Sequence, residues 1–95
     1  MEINARLVLE LRSLAASGAE ASELLAVIRD RLGLADENFR LIAIAYFREA
    51  FYLSLADASM VGAANIFPDG GRTAKQVDTQ MHSIIERTRS VWMVR

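Results

Sequence analysis

A chain of 95 residues is enough for one domain, just above the size at which a single unstapled core becomes marginal. It has no cysteine, which excludes disulfides and thiolate metal sites, and at 53% hydrophobic residues it lies far from the composition of a disordered chain. Twelve acids against eleven Lys plus Arg leave a net charge of −1, so no global field draws in nucleic acid or an anionic membrane.

The N-terminal run MEINARLVLELRS interrupts its apolar residues with acids and arginines, unlike the core of a secretory signal. The longest charge-free run, residues 58–68, is too short to span a bilayer. The expectation is a soluble, cytoplasmic protein with no membrane partner.

Helical periodicity dominates, and no segment alternates with a period of two. A first helix is predicted over residues 3–16, with Ile3, Leu7, Leu11 and Leu14 on one face. Ser17 and Gly18 end it, and Ser17 with Glu20 fits a capping box for a second helix. That helix carries Leu24, Leu25, Ile28 and Leu32, and Gly33 is placed to close it in the left-handed conformation. Asp36 is the predicted N-cap of a third helix running to about Phe51. Ser54, with Asp57 three residues on, predicts a short fourth helix over 55–64. The loop NIFPDGGR follows, and then Thr73 and Gln76 form the T-x-x-Q capping box of a last helix. Val77, Met81, Ile84, Ile85 and Trp92 mark its buried stripe. These signals predict an all-α single domain over 1–95, a bundle of four to five helices around a central apolar helix.

The central helix carries Arg48 and Glu49 in its most apolar stretch. On a helical wheel Phe39, Ile42, Ala43, Tyr46, Phe47 and Ala50 form one continuous arc, the predicted core face. Arg48 points away from that arc, among Leu41, Ile44, Phe51 and Tyr52, so the second side is itself largely apolar. Two readings follow. Either other helices cover this side while Arg48 reaches water or an acid, or part of it stays exposed as a binding surface. An Arg ringed by aromatic and aliphatic residues has the composition that concentrates binding energy at protein interfaces. Tyr46, Arg48, Glu49, Phe51, Tyr52 and Asp57 are therefore the candidate partner-binding residues.

Catalytic signals are sparse. His82 is the only histidine, and no G-x-S-x-G elbow accompanies it. Asp78, His82 and Glu86 recur at four-residue steps on the last helix and could present metal ligands, but an ordinary charged helix face explains them as well. The PDGGR loop lacks the spacing of a phosphate-binding loop and reads as a turn between helices. For DNA binding, the second helix of the 42–64 pair, LADASMVGAAN, offers one Asp, one Asn and no basic residue to a groove. The basic residues of the C-terminal segment are interleaved with Asp78 and Glu86, so nucleic acid is disfavoured there too. No cofactor and no metal are expected.

The segment IAIAYFREAFYLSLADASMVGAA resembles the helix–turn–helix of the ribosomal stalk protein's C-terminal domain over about a quarter of the chain. That likeness implies a helix break near Tyr52, where the family has glycine, and no ribosomal role. By overall type, and through FREAFYLSLADA at 47–58 and IIERTRSVW at 84–92, the chain resembles small all-helical immunity proteins of bacterial toxin systems, including contact-dependent growth inhibition. The resemblance implies a non-catalytic domain that binds and neutralises one cognate toxin domain. Immunity proteins that inhibit nucleases often present an acidic face; here Glu49, Asp57 and Asp69 are the local substitute. A homo-oligomer or an adaptor or regulatory subunit is the alternative, and a metal-dependent enzyme using the His82 face is the third class.

Overall fold

The computed structural model describes residues 3–33, 36–67 and 70–93. The chain is an all-α bundle: α1 (Ala5–Ala16), α2 (Ala21–Leu32), α3 (Asp36–Phe51), α4 (Leu55–Ala58), a 3-10 turn (Ser59–Ala63), α5 (Ala74–Arg87) and α6 (Arg89–Trp92). Helix α1 packs along α3, and α2 along α5 and α1. The 3-10 turn packs against α3 and α5.

Local chemistry sets most of the helix ends. Asn4 accepts a hydrogen bond from the Leu7 amide at 3.1 Å and so starts α1. Gly18, at φ 101°, turns the chain between α1 and α2 where a side chain would strain the backbone. The expected Ser17–Glu20 capping box does not form. The Ser17 amide still donates to Ser13, inside the end of α1. Helix α2 is instead capped by Glu20, whose amide donates to Glu23. The four-residue turn uses up Ser17 before α2 can begin. Gly33 closes α2 at φ 59°, ψ 41°, as its position predicts.

Asp36 is the first residue of α3 and not the residue before it, and position 35 lies outside the described residues. Ser54 caps α4 as expected, accepting from the Asp57 amide at 3.1 Å. The predicted 55–64 helix, however, tightens into 3-10 geometry after Ala58. The tightening brings Val61 and Ala64 into the core and lays Gly62 against α3, where an added Cβ would sit 3.4 Å from Arg40 and 3.5 Å from Ile44. Thr73 and Gln76 form the predicted capping box of α5.

The last helix is not continuous to Trp92. Thr88, at φ −102° and ψ 7°, interrupts it, with its hydroxyl donating to the Ile85 carbonyl at 3.2 Å. The break lets Trp92 turn inward, donate its indole N–H to that same carbonyl at 3.0 Å, and pack edge-on against Phe51 at 5.2 Å.

One apolar cluster holds the bundle together, and α3 runs through it. Phe39, Ala43, Tyr46, Phe47 and Ala50 are all buried, and Ile42 is partly so. Phe39 meets Phe67 at 4.9 Å, which ties the loop after the 3-10 turn to the central helix. That loop is closed by a short parallel bridge in which Arg72 receives the Asn65 amide at 2.7 Å and donates its own to Ala63 at 3.0 Å. Among the described residues no helix is long and apolar enough to cross a membrane.

Candidate partner-binding surface

Helix α3 is covered on its second side only in part: some of its residues are packed and others are left exposed. Phe51 is fully buried between Phe47 and Trp92, and Ile44 is partly buried. Leu41, by contrast, is 71% exposed and Tyr52 is 55% exposed, with Arg48 and Glu49 also on the surface. What stays uncovered is a strip, not a face.

The end of that strip is built by a residue from another helix. Arg12 on α1 donates from Nε to the Ala50 carbonyl at 2.7 Å and from Nη2 to the Glu49 carbonyl at 3.1 Å. These are among the last carbonyls of α3, which have no partner within their own helix, and a cation there also meets the negative end of the helix dipole. The same guanidinium lies over the Tyr52 ring, 5.2 Å from its centroid. Tyr52 itself has φ 54°, a left-handed conformation that favours glycine. It is the single non-glycine residue with positive φ among the described residues. A tyrosine is thus held in a glycine conformation with its ring against a fixed cation and one side open to solvent.

The predicted site residues separate into two groups. Tyr46 is 1% exposed, and its hydroxyl oxygen accepts the Asn4 amide at 2.8 Å, tying the start of α1 to α3. Tyr46 and Phe51 are therefore core residues and offer no side chain to a partner. The reason is plain in each case. Tyr46 lies on the core arc of the wheel, and Phe51 is claimed by a tryptophan that swings in from the C-terminal end. Arg48, Glu49 and Tyr52 share one surface and line a shallow groove with Ile3, Ala45 and Leu53. Asp57 sits apart on α4, half-buried, 3.7 Å from Arg87 of α5.

Two surface leucines escaped the sequence reading. Leu9 is 62% exposed and lines a second depression beside Arg12, Glu49 and Tyr52, so it extends the strip onto α1. Its signal was available, since Leu9 falls off the Ile3–Leu7–Leu11–Leu14 stripe. Leu55 (58% exposed) is the other.

The His82 face is committed elsewhere. Asp78 accepts the Ser22 amide at 2.7 Å and the Ser22 hydroxyl at 2.8 Å, and Glu86 accepts from Arg89 at 2.9 Å. His82 is exposed beside a cleft of about 90 Å³ lined by Ala16, Glu20, Glu86 and Arg89. Among the described residues no three potential ligands are grouped to hold a metal ion. In the PDGGR loop, Pro68 and Asp69 lie outside the described residues, and the amides of Gly70 and Arg72 are already bonded to Phe67 and Ala63.

Among the described residues one ion pair perturbs titration. Arg31 on α2 grips Glu10 on α1 with both Nε (3.0 Å) and Nη2 (2.6 Å), a bidentate fork. The hydrogen bonds from Arg31 hold the Glu10 carboxyl below the usual carboxylate value, and those to Glu10 raise Arg31. The pair lies away from the strip and fastens α1 to α2.

Comparison with protein-family models, with curated proteins and with solved structures returned no match to this chain.

Proposed function

We propose that this chain is a non-catalytic protein-binding module, and specifically an immunity protein that neutralises a cognate bacterial toxin domain by covering its active surface. The observation that carries the reading is the exposed strip of Leu41, Arg48, Glu49 and Tyr52, extended by Leu9, left open on a helix whose other sides are packed. Tyr and Arg with aliphatic neighbours are the side chains from which binding hot spots are built. Tyr52 loses little conformational freedom on binding, because Arg12 and the left-handed backbone already restrict it. Glu49 and Arg48 give such a surface polar specificity without a large field, consistent with the net charge of −1. Such a protein would act in the cytoplasm, where an incoming toxin domain has its targets.

The test is direct binding. The toxin domain encoded beside this chain is purified in inactive form, and its affinity for the unaltered chain, Arg48→Ala and Tyr52→Ala is measured by calorimetry. Each substitution is expected to weaken binding by about tenfold or more. Unchanged affinity for both variants means the surface is wrong, and absence of binding to any adjacent toxin domain rejects the immunity reading.

A further inference from the structure

The exposed strip of α3 also has a spacing and a charge order that suit one particular occupant, a second copy of this chain. Leu41, Ala45 and Arg48 recur at steps of four and three along α3, the seam spacing of two helices in knobs-into-holes contact. Leu41 stands exposed at one end of this seam, and Tyr52, just past the end of the helix, stands exposed beyond the other. Ala45 lies between them, half-buried and small, and so allows the approach of about 8–10 Å at which helices pack. Glu49 follows Arg48 by about 100° around the helix, so it borders the seam on one flank only. Among the described residues neither charged group is engaged in an ion pair or a side-chain hydrogen bond.

Rotating a second copy about an axis parallel to α3 brings the Glu49 flank of each copy beside Arg48 of the other. The two are offset by about 1.5 Å along the helix, well within the reach of both side chains. Both Arg–Glu contacts form at once, because the pair is self-complementary under that rotation. The antiparallel arrangement sets like flanks together, Glu49 against Glu49, and is disfavoured by repulsion.

We propose that the free chain self-associates as a parallel dimer through α3, and that the toxin domain displaces the second copy. The inference rests on the reading above for one point, that this strip is a binding surface. The strip offers only a handful of side chains against the roughly 20–30 residues a side of a standard interface, so the dimer is weak and forms towards about 1 mM.

Sedimentation equilibrium between about 10 μM and 1 mM tests it, with circular dichroism confirming that each variant is folded. The unaltered chain is expected to move from monomer towards dimer. Arg48→Glu places acid against acid and Glu49→Arg places base against base, so each alone is expected to weaken association by about tenfold. An equimolar mixture of the two variants restores opposite charges across both contacts and is expected to regain the dimer. So is the double exchange Arg48→Glu/Glu49→Arg. A strict monomer throughout overturns the proposal, as does association unaffected by either single variant. Single variants that weaken without rescue on mixing overturn the parallel pairing. Toxin-domain affinity is read separately, at concentrations where the chain is monomeric, so a failed dimer and a failed binding surface give different results.

Discussion

Asp78, on the last long helix, caps the start of a helix far from it in sequence: its two carboxylate oxygens accept the backbone amide and the hydroxyl of Ser22, at 2.7 and 2.8 Å. Ser22 lies in the first turn of α2, where amides lack partners in the helix and negative charge is favoured by the dipole. The contact ties the start of α2 to α5 and turns the Asp78 carboxylate towards Ser22. Asp78→Ala is expected to lower stability by about 2–3 kcal/mol, the loss typical of a partly buried, charge-assisted pair of hydrogen bonds. Asp78→Asn, which keeps one acceptor oxygen, should lose about half of that, as measured by urea unfolding.

The Arg12–Tyr52 contact separates stability from binding. Arg12→Ala removes two hydrogen bonds to α3 carbonyls and the contact with the ring, and should cost about 1–3 kcal/mol. Tyr52→Gly relieves a left-handed residue of about 1 kcal/mol of strain while losing a cation–π contact of about the same size. Its stability should stay within about 1 kcal/mol of the unaltered chain, although affinity for the proposed partner is expected to fall. Tyr52→Val should be the least stable of the three, because a β-branched residue suits φ 54° worst. A thermal-unfolding order with valine above glycine would contradict this account of the helix end.

Tyr46→Phe tests the core assignment. The ring stays packed, but the Asn4 amide loses its acceptor, at about 1 kcal/mol. Stability should fall and partner affinity should not change. A variant with native stability and weakened binding would return Tyr46 to the surface.

Gly70 and Gly71 are neighbours with opposite tolerance. A Cβ on Gly70 would collide with the Ala64 carbonyl, which accepts the Phe67 amide at 3.1 Å, whereas a Cβ on Gly71 meets nothing. Gly70→Ala is expected to destabilise by about 3 kcal/mol, the upper part of the range for forced overlap, and Gly71→Ala to be near neutral. Chemical denaturation of the two variants side by side checks the difference.

The Glu10–Arg31 fork adds a small acid-sensitive contribution. Because the folded carboxyl titrates below its unfolded value, the contribution is full above the ordinary glutamate range, about 4.3, and fades as pH falls through the lower folded value. Arg31, with its own value raised, stays charged throughout and adds no pH dependence in this window. Both side chains are partly exposed, at 57% for Arg31 and 32% for Glu10, so the effect is modest and salt-sensitive. Glu10→Gln should lower the melting temperature near pH 7 and leave it unchanged near pH 2. An equal loss at both pH values would remove the ion pair as the cause.

Much of the architecture is written in local residue order. The caps at Ser54 and Thr73, the left-handed close at Gly33 and the buried arc of α3 each depend on residues within one or two turns of one another, so they are legible without the fold. What required the tertiary structure depends on residues distant in the chain. Trp92 turns at Thr88 to cover Phe51, which takes Phe51 out of the candidate surface. Tyr46 finds its hydroxyl's partner 42 residues away at Asn4. Arg12 finishes a helix to which it does not belong and makes a tyrosine tenable where glycine is the usual choice. Helical periodicity assigns a side chain to an angle about its own axis; whether a neighbour covers that angle is decided only by how the helices are stacked.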